Sequence, residues 1–261
     1  MFSADRISKI KEILFEYKHV DINTLASILS VSLATVRRDL DKLESEGFLT
    51  KKYGGAVLNE ASPVEIVLQN SSDPYEEEKR QIAEICALMI DIGDVVYLGY
   101  GSINVYIAKK IKMMPQIKIV TNAIPVLLEL LTAENCQIII PGGTVETVGN
   151  TPALVGNYAL DNLANMFISK AFISVDGITL ENGYTVSSEN VANVYNSVMK
   201  NAEKVYLAAD YSKFFKRSFC RVAALNEIDT VITNIKFPEQ FKEYYNSNYI
   251  KLYTAISDIN I

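Results

Sequence analysis

Tryptophan is absent from the 261 residues, histidine occurs once, as His19, and cysteine three times. A lone histidine near the N-terminus leaves the rest of the chain without a Ser-His-Asp triad, a two-histidine metal site or an HExxH helix. Histidine-based catalysis is therefore excluded beyond that point, and no metal or cofactor is expected. Cys86, Cys136 and Cys220 are far apart, odd in number and outside any metal-ligand spacing, which predicts buried free thiols. No stretch reaches the roughly 18 apolar residues that span a bilayer, and Met1 to Arg6 lacks the apolar run of a secretory signal. The expectation is a cytoplasmic chain with no membrane partner. Positive charge is also short, with 25 Lys+Arg against 31 Asp+Glu and a net of -6. That balance excludes nonspecific coating of nucleic acid, so any DNA contact must rest on local charge.

What is present is an ordinary globular composition, 49% hydrophobic and 21% charged, enough for one large domain or for a small domain joined to a medium one. Over residues 1–57 nine Lys+Arg face eight Asp+Glu, and the cations gather at Arg37, Arg38, Lys42, Lys51 and Lys52. In that segment Ile7, Ile10, Ile13, Leu14 and Tyr17 recur at helical spacing. Asp21 stands at an N-cap position before a second stripe of Ile22, Leu25, Ala26, Ile28 and Leu29. Ser32 caps a third helix whose buried side is read as Leu33, Val36, Leu40 and Leu43, with Gly47 as its stop. Thr35, Arg37, Arg38 and Asp41 are then left on the outer face near its start. Phe48 to Val57, carrying Lys51, Lys52, Gly54 and Gly55, reads as a β-hairpin wing. A helix presenting two arginines beside a lysine-bearing wing suits a major groove and its phosphates. The alternative is a plain helical module whose arginines are a solvated face.

The run Val31-Ser32-Leu33-Ala34-Thr35-Val36-Arg37-Arg38-Asp39-Leu40, followed by Gly54-Gly55-Ala56, resembles the DeoR family of bacterial regulators. The resemblance implies double-stranded operator DNA as partner, with Ser32, Thr35, Arg37 and Arg38 facing it and Lys51 and Lys52 along its backbone. Asp39 is expected to be an ion-pair partner orienting an arginine, since a carboxylate repels phosphate.

From Asn59 to Glu78 the sequence turns polar, with Pro63, Pro74 and the acidic run Glu76-Glu77-Glu78. This predicts a winged helix-turn-helix domain over 1–57, a linker over 58–74 with a short helical piece at 64–68, and a third segment over 75–261. The acidic run opens a helix from Tyr75 to about Ile92, where carboxylates suit the helix dipole. Beyond it β-rich runs at 95–98, 117–121, 137–140, 171–175, 204–209 and 230–233 alternate with helical patterns near 104–112, 125–131, 158–164 and 189–201. The alternation predicts a mainly parallel α/β sheet that binds ligand beyond the carboxyl ends of its strands. Polar residues fall at those ends: Gly99, Gly101 and Ser102, then Thr121 and Asn122, Gly142 and Gly143, Asp176, and Asp210 with Lys213. Lys213 is the expected anion-pairing side chain, and Asp176 and Asp210 the acceptors for hydroxyls.

Val120-Thr121-Asn122, Pro141-Gly142-Gly143 and Ala209-Asp210-Tyr211-Ser212-Lys213-Phe214 are similar to segments of the DeoR effector domain. The implied fold resembles the ribose-5-phosphate isomerase/CoA-transferase-like group, which also includes the glucosamine-phosphate deaminases. The implied function is a repressor of a carbohydrate-metabolism operon, binding its operator as a homo-oligomer, dimer or tetramer, and answering to a phosphorylated sugar. Two departures stand out. Gly99-Tyr100-Gly101-Ser102-Ile103 replaces a loop of the Asp-Ser-Gly-Thr-Thr type, and no arginine follows Gly143 in Thr144 to Val148. Two other readings stay open here: an active sugar-phosphate isomerase or deaminase using Asp176, Asp210 and Lys213, and a regulator with a vestigial pocket.

Overall fold

The computed structural model describes residues 3–45, 48–52, 54–59, 74–133, 136–148 and 151–259. The chain divides into two compact units, Met1–Ser62 and Pro63–Ile261. Most of the expected linker, its helical piece included, lies outside the described residues, as do Gly47 and Tyr53.

In the first unit α1 (Ser3–Tyr17), α2 (Ile22–Leu29) and α3 (Leu33–Ser45) enclose a core of Ile10, Leu14, Leu25, Leu29, Val36, Leu40 and Leu43. Tyr17, Ile28 and Leu33, counted into the stripes above, are exposed instead. Leu25 and Leu29, four apart, define the inner side of α2 and turn Ile28 away by about 100°, the angle between neighbouring residues. Leu33 opens α3 one turn before Val36 and projects past the edge of the core. Ser30 closes α2 in the left-handed region at φ 53°, its N–H bonding back to Ala26 and Ser27.

The wing is a three-stranded sheet rather than a hairpin alone. β1 (His19–Asp21) pairs antiparallel with β3 (Gly55–Leu58), whose other edge takes β2 (Leu49–Lys52). β1 explains the second glycine: a Cβ on Gly55 would lie 2.3 Å from the Val20 carbonyl oxygen. Gly54, at φ 84°, makes the turn.

Asp21 caps α2, its Oδ1 accepting from the Asn23 N–H at 2.7 Å and the Thr24 N–H at 3.3 Å. These donors hold its carboxyl below the ordinary 3.8. A carboxyl depressed on folding stabilises fully above its unfolded value and stops doing so as pH falls through its folded one. Asp21→Ala is therefore expected to lower the Tm at neutral pH, and the gap from the parent to close as scans are repeated below pH 3.8. A gap that persists at about pH 2 would mean that the carboxylate charge is not what holds the cap.

The second unit opens with α4 (Glu76–Leu88), shorter than the expected helix to Ile92, followed by β4 (Val95–Leu98), α5 (Ser102–Ile111), β5 (Lys118–Thr121), α6 (Ile124–Leu130) and β6 (Gln137–Ile139). A hairpin of β7 (Thr144–Val148) and β8 (Thr151–Val155) leads to α7 (Asn157–Leu163) and β9 (Ile168–Ile173). Next come β10 (Gly177–Thr179), β11 (Gly183–Val186), α8 (Glu189–Asn201), β12 (Ala202–Ala208), β13 (Cys220–Ala223), β14 (Thr230–Ile232), α9 (Glu239–Ser247) and β15 (Lys251–Tyr253).

Seven strands form one sheet in the order β15-β14-β12-β9-β4-β5-β6, every pairing parallel. β10, β11 and β13 form a small antiparallel sheet beside it. From β4 the chain winds outward through β5 and β6, then returns to the other side of β4 as β9 and winds away through β12, β14 and β15. The reversal parts the loops after β4 and β9, and such a crevice is where open α/β sheets take their ligands. All three cysteines are free; Cys86 is buried and its thiol pushed up by desolvation, while Cys136 and Cys220 are only half-buried.

Candidate functional site

Two surfaces carry the chemistry, one in each unit. On α3, Ser32 accepts the Thr35 N–H at 3.3 Å and its hydroxyl lies 3.0 Å from that of Thr35, which fixes the opening turn. Asp39 is buried and forms a two-pronged ion pair with Arg6 of α1, Nε to Oδ2 at 2.6 Å and Nη2 to Oδ1 at 3.0 Å. The arginine that Asp39 orients is thus Arg6, which clamps α3 to α1. Arg37 and Arg38 stay exposed, with no ion-pair partner among the described residues. Lys52 is exposed in the same way. Lys51 differs, because its Nζ pairs with Asp41 and, at 3.0 Å, with Glu44 of α3. Those carboxylates raise the pKa of Lys51 and occupy the charge that would meet a phosphate.

The second surface is a cavity of about 180 Å³ at the carboxyl ends of β4, β9 and β12. The loop after β4 contributes Tyr100, Gly101, Ser102 and Ile103; that after β9, Ser174, Val175 and Asp176; that after β12, Ala209, Asp210 and Lys213. Val148 and Thr151 enter from the β7–β8 hairpin and Lys79 from the first turn of α4. Gly101, at φ 106°, precedes α5, whose opening N–H groups have no side-chain cap. They and the helix dipole present positive potential to the cavity.

Each carboxylate has a distinct role. One oxygen of Asp176, Oδ2, accepts from the Tyr100 hydroxyl, the Ser187 N–H and the Ser187 hydroxyl, each at 2.8 Å. Burial and that carboxylate push the Tyr100 phenol up, so it remains a donor. Asp210 is fully buried and uses Oδ1 to cap the short turn Tyr211–Lys213, accepting from the Ser212 N–H at 3.0 Å. Its Oδ2 is buried without a hydrogen-bond partner among the described residues. Lys213, half-buried at the end of that turn, has no ion-pair partner among the described residues.

Of the expected effector residues, Gly101, Ser102, Asp176, Asp210 and Lys213 line this cavity, and Gly99, Thr121, Asn122, Gly142 and Gly143 do not. Thr121 turns its hydroxyl to the Leu98 carbonyl at 2.7 Å, and Asn122 accepts from the Tyr97 hydroxyl and donates to the Leu154 carbonyl. Both hold strand ends together. Gly99 leaves room for the Tyr195 ring, which would lie 2.7 Å from a Cβ there, and a Cβ on Gly143 would meet the Val155 carbonyl at 2.4 Å. Gly142, at φ 75°, shapes the same turn. Lys79, Tyr100, Ser174 and Thr151 line the cavity without having been singled out in the sequence. Lys79 directly follows the acidic run, whose carboxylates account for a helix start by themselves, so nothing separate in the sequence signals it.

Comparison with known proteins places one family model on each unit. Residues 6–62 match the model of the DeoR-like helix-turn-helix domain and residues 75–235 that of the DeoR C terminal sensor domain. The chain belongs to the DeoR family. Among relatives of this DeoR-family chain, the HTH-type transcriptional regulator GlpR of Haloferax volcanii is 31% identical over 90% of this chain and 91% of its own. The lactose phosphotransferase system repressor of Lactococcus lactis is 30% identical over 92% and 94%, and the regulator IolR of Bacillus subtilis 27% over 96% and 98%. A solved ribose 5-phosphate isomerase of Methanocaldococcus jannaschii aligns at a TM-score of 0.41 with 14% identity, covering 54% of this chain and 56% of that one. The DeoR-family chain is a DNA-binding transcriptional regulator, and the reading of it as an isomerase or deaminase gives way.

Proposed function

We propose that this DeoR-family regulator is a cytoplasmic repressor of a carbohydrate-metabolism operon whose hold on its operator is loosened by a small phosphorylated sugar in the cavity. The observation that carries the reading is the unpartnered Oδ2 of buried Asp210 in the same cavity as Lys213 and the uncapped start of α5. A buried carboxylate oxygen calls for a donor and the other two call for an anion, and a polyhydroxyl phosphate supplies both. Lys213 and Lys79, which line the same cavity, stand in for the arginine that the family pattern carries after Gly143. The names of relatives point the same way, one being a lactose phosphotransferase system repressor and another a putative aga operon repressor.

In the mechanism, Ser32, Thr35, Arg37 and Arg38 meet the duplex, with Lys52 and a displaced Lys51 on its backbone. The chain acts as a symmetric dimer or tetramer on matching half-sites. Effector weakens operator binding by its preference for the DNA-incompetent conformation, typically about 1 to 3 kcal/mol or 5- to 150-fold.

The test begins with an operator selected from random duplexes and measures affinity by fluorescence anisotropy against a panel of sugars, sugar phosphates and inorganic phosphate. At least one phosphorylated sugar is expected to raise the Tm and lower operator affinity, while its unphosphorylated parent does neither. Asp210→Asn, which keeps the shape but replaces an acceptor, is expected to weaken that ligand roughly ten- to a hundredfold. Operator affinity unchanged by every compound would overturn the reading.

A further inference from the structure

Asn234 lies just past β14, is buried, and lines no part of the cavity, yet its side chain joins two of the segments that do. Its Nδ2 donates to the Glu78 carbonyl in the first turn of α4 at 3.1 Å, and its Oδ1 accepts from the Tyr211 N–H at 3.2 Å. Glu78 immediately precedes Lys79, and Tyr211 opens the short turn that ends at Lys213. One carboxamide therefore ties the backbone beside one lysine of the cavity to the turn that carries the other. A second contact runs parallel to it: the Tyr75 and Tyr211 rings meet edge to face, 5.4 Å apart at 88°. Lys236 adds a third, with its Nζ 5.8 Å from the Tyr211 ring centre and 3.8 Å from Glu78 Oε1.

These contacts make the turn 211–213 and the first turn of α4 one mechanical piece. Among the described residues, α4 is the first helix of the second unit in sequence. We propose that Asn234 is the positioning residue that couples occupancy of the cavity to the head of α4. An anion drawn between Lys79 and Lys213 changes their separation, and the buried carboxamide passes that change to the Glu78 carbonyl. A buried amide with both ends engaged transmits displacement because letting go of either bond leaves a buried polar group unpaired. The inference rests on the reading of the cavity as an anion site, and says by which residue that site is heard.

Hydrogen–deuterium exchange on the full chain, with inorganic phosphate as the probe, separates the two. In the parent, phosphate is expected to slow exchange at the start of α5 and in the peptide spanning 75–82, each by about fivefold or more. In Asn234→Ala the slowing at α5 persists and that at 75–82 falls below about twofold. Asn234→Asp keeps the acceptor for Tyr211 and the shape but loses the donor to Glu78, and is expected to behave as the alanine variant does. A merely structural asparagine would move both regions together in the variants. Slowing at α5 without slowing at 75–82 in the parent overturns the coupling and leaves the anion site standing, as does slowing at 75–82 that survives in a folded variant. No slowing at either place overturns both.

Discussion

Arg37→Ala combined with Arg38→Ala is expected to weaken operator binding by on the order of a hundredfold and to flatten its salt dependence by about one log-log unit for each phosphate no longer neutralised. Affinity for phosphate comes from counterion release, so the slope reports how many cations touch the backbone, whatever the base sequence. The double variant should keep the parent Tm, because both side chains are exposed and neither holds a partner within the described fold. Neighbouring Asp39 sets the contrast: it is buried against Arg6, so its removal loosens α3 from α1 and lowers the Tm as well. If the double arginine variant melts early, the arginines are structural; if the slope is unchanged, they do not meet the duplex. Lys51 and Lys52 should separate in the same experiment. Lys52→Ala removes a free charge, whereas Lys51→Ala removes one already shared with Asp41 and Glu44, so the larger drop in slope belongs to Lys52.

Leu40→Ala is expected to unfold the DNA-reading unit while leaving the sensor intact. Leu40 is 1% exposed in a core that spans only about 60 residues of chain. Truncating a fully buried leucine costs about 2 to 5 kcal/mol, and a unit of this size has little more than that in total. The sensor has its own, far larger core, so its transition should not move. The missing tryptophan makes this simple to read. Thirteen of the 15 tyrosines lie beyond Ser62, so near-ultraviolet circular dichroism follows the sensor almost alone, while amide signals follow both units. Loss of operator binding with an unshifted tyrosine transition is the predicted outcome. A single transition that shifts as a whole would mean that the two units unfold as one.

Much of this fold was legible because local rules act strongly. Asp21 and Ser32 mark helix starts by the geometry of their oxygens, and six of the seven parallel strands stood out as β-rich runs between helical patterns. β1 and β15 were not legible, since His19-Val20-Asp21 and Lys251-Leu252-Tyr253 each hold a single aliphatic residue, whereas the equally short β6 and β14 carry consecutive β-branched residues. The site was readable as a rim but not as a direction. Thr121 and Asn122 sit at a strand end as ligand-binding residues would, yet both spend their polar atoms on neighbouring backbone and the Tyr97 hydroxyl. Asp210, in an equivalent position, keeps one oxygen unspent. Nothing in residue type separates the two outcomes; only the packing of the next strand does. Lys79 was hidden for the opposite reason, because Glu76 to Glu78 fully account for a helix start and leave no cause to look further.

The sheet order also governs how the protein comes into being. β4, the first of the parallel strands to be made, sits between β5 and β9, and Val95 waits for the hydroxyl of Ser169, 74 residues later. Long waits of that kind make for slow closure, whereas the first unit completes its contacts within a short stretch of chain. On a translating ribosome the DNA-reading head is finished while the sensor is still an open set of strands. A chain abandoned midway would carry a working reader without the means to release it, so prompt completion of the C-terminal strands is itself a condition of regulated transcription.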